Sequence, residues 1–393
     1  MHIAVVTETF LPEINGVSKT LSHLCQGLVK KGVTLDLISP GRIQQPGPGI
    51  TSWQAPGHPL PGYPGLKFGW KLPSRVKKQW LHRAPQVFYI ATQGPLGLDA
   101  LRFARKHRIP AVTGYHTSFD LYLQHYRLGW LQKPLHQYLR FFHRASTLTL
   151  TPSIQQQELL QDAGFGQVER LGRGVDTRIF GPQKRSEKLR RQLGLAPGDL
   201  LVGYVGRLAA EKNLELLLKS FQAIHQEHPS ARLLVVGDGP WKEEIQRRCP
   251  AAILVGSQEG ENLAGYYASM DLFLFPSLTD TYGNVVAEAL ASGLPLVAYR
   301  RAAAAELIAQ GKNGWLVETN TSEQGFIQAA RELAGEDRLR LIMGHLASQS
   351  IQKLSWNEVC ERFYQYLMAS QFGGERHEQQ TQAADIESLG RKI

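Results

Sequence analysis

The sequence predicts an α/β protein made of two doubly wound domains, and three observations carry that reading. The chain has 393 residues, more than one ordinary core accommodates and comfortable for two domains. Short, almost continuously apolar runs recur along it, as expected of parallel strands covered on both faces. Helix-like stretches separate those runs, which is the rhythm of βαβ units.

The runs fall into two series. The first comprises Ile3–Val6, Val33–Ile38, Val87–Ala91, Ala111–Tyr115 and Thr147–Thr151. The second comprises Leu201–Val205, Arg232–Val236, Ala252–Val255, Leu272–Phe275, Pro295–Ala298 and Trp315–Val317. Between the first two runs, Leu21, Leu24, Leu28 and Val29 share one helical stripe. Asn15-Gly16 reads as the turn before that helix, Ser18 as its cap and Gly32 as its stop. The polar stretch Gly181–Asp199, edged by Pro182 and Pro197, marks the domain boundary. The expected division is therefore 1–182 and 183–355. An amphipathic helix follows over 356–370, built on Val359, Phe363, Tyr366 and Leu367, and the polar tail 371–393 is expected to lack fixed structure.

Hydrophobic residues make up 42% of the chain and charged residues 20%, a globular composition and not a disordered one. No uncharged apolar stretch reaches the roughly 18 residues of a membrane-spanning helix. The N-terminus, MHIAVVTETF, lacks the basic head and cleavage site of a signal peptide. Cys25, Cys249 and Cys360 are far apart and form no CxxC pair, so they read as free thiols in a reducing compartment. A cytoplasmic location is expected. The net charge of +10 is uneven: residues 1–185 hold 23 Lys and Arg against 9 Asp and Glu, and the remainder holds 21 against 25. A one-sided basic surface either draws anions, such as nucleic acid, anionic lipid or acidic substrates, or simply stays solvated. No nucleic-acid-binding motif occurs, so nucleic acid is not expected as a partner. No GxGxxG follows a strand with an acid about twenty positions on, which argues against a dinucleotide oxidoreductase.

The second domain holds the residues suited to chemistry. GYVGRLAAEKN (203–213) runs from strand to helix start, with Arg207 and Lys212 across the turn. Two cations there match a diphosphate, Arg as a fork and Lys as a point charge; alternatively both are solvated surface residues. VVGDGP (235–240) is a strand entering a glycine turn and supports only the architecture. FPSLTDTYGNVVAEALASGLP (275–295) is the most informative segment. A buried strand ends at Pro276, a polar loop follows, and a helix starts near Val285 with Asn284 as the expected cap. Strand-end loops of this kind bind ligands in parallel sheets, and helix N–H groups suit phosphate or sugar hydroxyls. Asp280 in the loop and Glu288 one turn into the helix are placed to accept hydrogen bonds from diols, or else are solvated acids. His116 follows a strand and, taken alone, is more often a structural histidine.

Together, Arg207–Lys212 and the eight-residue interval Asp280–Glu288 resemble the GT-B glycosyltransferases of the group 1, or family-four, type. TETFLPEINGV (7–17), GYHTSF (114–119) and GRGVDTRIF (172–180) extend the resemblance to most of the chain, from Met1 to about Ala369. It implies two Rossmann-like domains with a C-terminal crossover helix, and a retaining transfer of a hexose from a nucleotide diphosphate sugar. By this resemblance Arg207 and Lys212 hold the diphosphate and Glu288 the ribose. Asp280 and the backbone of Thr281, Tyr282, Gly283, Asn284 and Val285 hold the sugar. Val255 and Gly256 lie near the base, Gly16 approaches the phosphates, and His116 faces the reacting sugar. The family usually has Glu where this chain has Asp280, and a glycine pair where it has YRRAAAAEL (299–307). No DxD pair stands at a suitable strand end, so neither a metal nor another cofactor is expected.

The acceptor is read from the basic half. Pro64–Arg83 interleaves Lys67, Lys71, Arg75, Lys77, Lys78 and Arg83 with Phe68, Trp70 and Trp80, and Tyr126–Arg144 adds Trp130, Leu135, Leu139, Phe141 and Phe142 among further cations. Such mixtures suit an anionic membrane interface, or the aromatics belong to the core. The N-terminal half resembles glycolipid-making members, both GDP-mannose-dependent α-mannosyltransferases and sulfoquinovosyl- or glucosyl-diacylglycerol synthases. The expected partners are thus a nucleotide-sugar donor, with GDP-mannose ahead of a UDP-sugar, a lipid or glycolipid acceptor, and the inner face of the plasma membrane. A nucleotide-sugar epimerase, which shares the architecture, is the rival from another class.

Overall fold

The computed structural model describes residues 1–13, 15–41, 43, 47–59, 67–116 and 132–371. The chain divides into two compact units. In the first, the elements run β1 (His2–Val6), α1 (Gly16–Lys30), β2 (Thr34–Ser39), β3 (Ile50–Gln54), β4 (Gly57–Pro59), β5 (Lys67–Gly69), α2 (Ser74–His82), β6 (Val87–Ile90), α3 (Pro95–Lys106), β7 (Ala111–Gly114), α4 (Gln132–Arg144), β8 (Leu148–Thr151), α5 (Ile154–Asp162) and β9 (Val168–Arg170). The second contains α6 (Glu187–Gln192), β10 (Leu201–Val205), α7 (Leu214–Glu227), β11 (Arg232–Val236), α8 (Lys242–Arg248), β12 (Ala252–Leu254), α9 (Gly260–Ser269), β13 (Leu272–Phe275), α10 (Asn284–Ala291), β14 (Leu296–Tyr299), α11 (Ala302–Leu307), β15 (Gly314–Val317), α12 (Glu323–Gly335) and α13 (Asp337–Ser350).

Every apolar run of the two series is a strand. In the first unit seven strands order as β3-β2-β1-β6-β7-β8-β9, and in the second six order as β12-β11-β10-β13-β14-β15. The pairings within both sheets are parallel. Strand order reverses beside β1 in one sheet and beside β10 in the other. These are the switch points where loops at the strands' carboxyl ends diverge and leave a crevice for a ligand. β4 and β5 form a small antiparallel pair off the first sheet. Together with the edge strands β3 and β9 they were not legible in the sequence, because half-exposed runs such as ITSWQ show no continuous apolar signal.

Helix α1 begins differently from the expectation. Its cap is Asn15, whose side chain accepts from the N–H groups of Val17 and Ser18, while Ser18 closes the capping box three positions on. The reciprocal bonds satisfy donors on both sides of the turn, which a cap at Ser18 would not. The boundary also moves. The first unit ends at Arg173, and residues 174–182 belong to the second. Val175 donates to the Leu354 carbonyl at 2.9 Å and packs into the second core, with Phe180 against it. The apolar residues of GRGVDTRIF therefore outweigh the break signalled by Pro182.

Residues 356–371 form a last helix that rejoins the first unit. Phe363 and Leu367 are fully buried beside Leu21, Leu24 and Leu28. Trp356 stacks on His23 at 4.3 Å, and Phe363 meets Tyr89 edge-on at 4.7 Å. Each large apolar side chain buried in this way is worth about 1.5–3 kcal/mol. The tail over 372–393 lies outside the described residues.

In the second sheet the turns after β10 and β11 touch through glycine. Gly237 has φ +147°, and a Cβ placed there would lie 1.9 Å from the Gly206 carbonyl oxygen. Gly237→Ala is therefore expected to destabilise the protein by about 2–4 kcal/mol, combining backbone strain and overlap with a main-chain atom. Urea denaturation measures this, and an unchanged midpoint would refute the contact.

Candidate active site

In the second unit the loops after β10 and β13 meet at the switch point. Lys212 ends a short 3-10 turn, Ala210–Lys212, that precedes α7. Its ammonium donates to Asp280 Oδ1 at 2.7 Å. Asn213 takes the left-handed conformation, φ +56°, and its amide donates to the Pro276 carbonyl at 3.3 Å. The Thr279 hydroxyl donates to the Glu211 carbonyl at 2.8 Å. Three bonds thus join the cationic loop to the acidic one. Arg207, at the start of the first loop, has the buried Glu211 carboxylate 3.6 Å away, while its own side chain is 43% exposed.

The acidic loop closes on α10. Gly283, φ +88°, is the cap, and Asn284 is the first helical residue; no side chain of the cap residue bonds to the helix start. The expectation of Asn284 as cap is corrected by one position, because the chain needs a left-handed residue there and glycine takes that shape without Cβ strain. The amides of Asn284 and Val285 therefore keep their capacity for an anion or a hydroxyl, while the Val286 N–H donates to the Gly283 carbonyl at 3.0 Å. Behind the loop, the Ala303 N–H donates to the Tyr282 carbonyl at 2.9 Å. Ala302, in the segment where the family often has glycines, has φ +47°. Glu288, half-buried on α10, accepts from the hydroxyl of the fully buried Tyr267 at 3.0 Å. That carboxylate in turn pushes the Tyr267 phenol up, after burial itself. Asp280 Oδ2 and the Ser277 hydroxyl, both buried, have no hydrogen-bond partner among the described residues. On the far side of β10, Gly256 accepts from the Gly237 N–H at 2.9 Å, and the Val255 carbonyl accepts from Gln258 at 2.8 Å. Arg207, Lys212, Asp280, Thr281, Tyr282, Gly283, Asn284, Val285 and Glu288 thus lie on two joined loops and one helix start, with Val255 and Gly256 after β12.

In the first unit Gly16 is exposed at the first position of α1. His116 follows β7, and both of its ring nitrogens are engaged: Nδ1 lies 2.7 Å from Arg173 and Nε2 2.8 Å from the Tyr89 hydroxyl. Burial first, then the Arg173 and His143 charges, hold the imidazole well below the usual histidine range. His143 on α4 is buried among Thr113, Thr149 and Gln93, and burial pushes it down to about 3. Glu8, in the loop after β1, is pushed up to about 7 by burial against the weaker pull of the Leu96 N–H. Its carboxylate occupies the space that a side chain at Gly94 would need. Arg173, Tyr89, Glu8, Glu211 and Tyr267 had no individual signal in the sequence; only the tertiary packing brings them to site residues or to the switch points.

The aromatic residues of the basic stretches divide. Trp80 is core, its indole donating to Asp36 at 2.7 Å, and Leu139 and Phe142 are buried. Trp70 and Phe141 stay exposed at 51% and 55%. Trp130 lies outside the described residues.

Two parallel sheets, each with a switch point, and in the second a cationic loop joined to an acidic one, have the architecture of the GT-B class of sugar-transferring enzymes. Residues 199–336 match the family described as glycosyl transferases group 1, and residues 14–179 match glycosyltransferase family 4. A GDP-mannose-dependent alpha-mannosyltransferase of Corynebacterium glutamicum is 32% identical over 371 residues, covering 93% of this chain and 88% of its own. Sulfoquinovosyl transferase SQD2 of Arabidopsis thaliana is 34% identical over 307 residues, covering 76% of this chain and 59% of its own. Sucrose-phosphate synthase from Thermosynechococcus elongatus shares the fold, with a TM-score of 0.75 at 18% identity over 94% of this chain and 99% of its own. The chain belongs to the group 1 family of glycosyltransferases, hexosyltransferases with the GT-B fold. No helix among the described residues is long and apolar enough to cross a membrane.

His143 gives a pH test of the buried network. Its folded value is depressed to about 3, so only the unfolded chain takes up this proton as pH falls below about 6.5. The stability tied to the neutral ring is present above that value and is lost as pH falls toward 3. Between pH 6.5 and 4 the loss is on the order of 3 kcal/mol. His143→Asn, with no such proton to exclude, is expected to lose less over that range in thermal melts; equal losses would refute the assignment.

Proposed function

We propose that the protein transfers a hexose, mannose in the first instance, from GDP-mannose to a hydroxyl of a lipid or glycolipid with retention of anomeric configuration. The observation that carries this reading is the pairing of the joined cation–acid loops with the 32% identity to a GDP-mannose-dependent alpha-mannosyltransferase over most of both chains. Arg207 and Lys212 take the diphosphate and stabilise the charge that develops as it leaves, which is electrostatic catalysis. The departing phosphate oxygen receives the acceptor proton on the same face. Glu288, oriented by Tyr267, takes the ribose diol. Asp280 Oδ2 and the amides of Thr281–Val285 take sugar hydroxyls, and Val255 and Gly256 flank the base. Gly16 and His116 serve from the first unit, Gly16 at the phosphates and His116 at the reacting sugar. No step requires a metal.

A UDP-sugar-dependent transfer to diacylglycerol is the second reading, supported by the 34% identity to a sulfoquinovosyl transferase. The lipid acceptor has structural support in α4, where Lys133, Gln137, Arg140, Phe141 and Arg144 are all exposed along one helical stripe, opposite Leu139 and Phe142. A cationic face carrying one apolar side chain suits an anionic surface, and the enzyme would act at the inner face of the plasma membrane.

Lys212→Ala is expected to leave the fold intact and lower turnover by about 100-fold or more, with near-normal turnover refuting the assignment. GDP-mannose should raise the melting temperature more than UDP-glucose does; the reverse order would favour the second reading. The protein should sediment with anionic liposomes at low salt and be released at high salt, and Arg140→Glu/Arg144→Glu should weaken this severalfold. Failure of the wild-type protein to sediment would refute the membrane partner.

A further inference from the structure

The motif GRGVDTRIF has so far no part in the chemistry, yet its arginine contacts His116. Arg173 is 5% exposed. One guanidinium nitrogen donates to the carbonyls of Leu171 and Gly172 at 3.0 and 3.3 Å. The other lies 2.7 Å from His116 Nδ1. Arginine can only donate, so Nδ1 must offer its lone pair. The single proton of the neutral ring is then on Nε2, 2.8 Å from the Tyr89 hydroxyl. A doubly protonated ring would turn an N–H toward the guanidinium at that same distance.

The preceding glycine belongs to the same arrangement. A Cβ at Gly114 would lie 2.5 Å from His116 Nε2 and 2.7 Å from the Tyr89 hydroxyl. Only glycine at that position lets the ring fold back onto Tyr89. GYH and GRG, 57 residues apart, are thus two halves of one clamp.

We propose that Arg173 and Tyr89 are positioning residues that lock His116 as the neutral Nε2–H tautomer, and that Gly114 is required to make room for the lock. The proposal rests on the reading of His116 as a group that faces the reacting sugar. Its chemical sense is electrostatic. Positive charge develops at the reacting carbon during transfer, and an imidazolium beside it would oppose that charge; a ring unable to take a second proton cannot. Among the described residues, the ionisable groups facing the ring are Tyr89 from β6, Arg173 after β9 and His143 from α4.

The test is nitrogen-15 NMR of the histidine rings in the full chain, with His116 assigned by its loss in His116→Gln. The wild-type ring should show the Nε2–H pattern and no titration from pH 5 to 8. Arg173→Met, which removes the donor to Nδ1, should let the proton move to Nδ1 in part of the population, and Arg173→Lys, which still donates, should restore the locked pattern. Release of nucleoside diphosphate from GDP-mannose should fall about tenfold or more in Arg173→Met and recover in part in Arg173→Lys. A wild-type ring that carries its proton on Nδ1 or titrates in this range overturns the lock, whether or not the variants fold. So does an Arg173→Met protein whose ring stays locked. Full turnover in His116→Ala sinks the reading of His116 at the sugar, while the tautomer result decides the lock separately.

Discussion

The geometry of the candidate site in the second unit depends on the seam between the loops after β10 and β13. Parallel strands that diverge at a switch point leave two loops with no sheet hydrogen bonds between them. Here the Lys212–Asp280 pair, the Thr279–Glu211 bond and the Asn213–Pro276 bond supply the connection. All three come from residues within eight positions of a strand end, so the sheet register passes into the geometry of the loops. The close approach of Gly237 to Gly206 extends the same order to the turn after β11.

The first unit meets the same constraint by another route. At its switch point Glu8 follows β1 and lies against Gly94, after β6, and the Glu8 N–H donates to the Thr92 hydroxyl at 3.0 Å. Farther along the sheet, Gln93 donates to the Gly114 carbonyl at 2.7 Å and Tyr138 donates to the Gln93 carbonyl at 2.5 Å. Side-chain amides and hydroxyls thus join the ends of β6 and β7 to α4. Such networks are strong where every member is satisfied, because burial raises the cost of any broken bond.

The fold was legible because its central strands are covered on both faces. Leu272–Phe275 and Leu201–Val205 read directly as buried strands, whereas Lys67–Gly69 and Val168–Arg170 are three residues long and carry charge. The cap of α1 was misplaced because Asn15 and Ser18 both suit the position and only the reciprocal bonds choose between them. The boundary at 182 was misread because Pro182 is a strong local signal, while the docking of Val175 beside Ser355 is a contact across the whole second unit. Of the candidate site, spacing and family resemblance single out the charged and glycine positions, and the structure brings Lys212 and Asp280 together. The residues that orient them were not legible: Tyr267, Glu211 and Arg173 are buried, and nothing in their local sequence separates them from core or surface residues.

Asp280 joins these themes. It stands one methylene shorter than the glutamate usual in the family, yet it reaches Lys212 at 2.7 Å, because the seam draws its loop toward the 3-10 turn. The loops therefore hold two cations, Arg207 and Lys212, against two close carboxylates, Glu211 at 3.6 Å and Asp280 at 2.7 Å. In the proposed reaction a dianionic diphosphate arriving among them does not meet isolated, fully hydrated cations. It meets cations whose positions are already fixed by carboxylates, so less reorganisation accompanies its binding. The second oxygen of Asp280 is buried without a protein donor, and such an atom is costly unless something supplies a hydrogen bond. In the proposed complex a sugar hydroxyl supplies it. One carboxylate then links the group that stabilises the leaving phosphate to the group that selects the sugar, and its length matters to both.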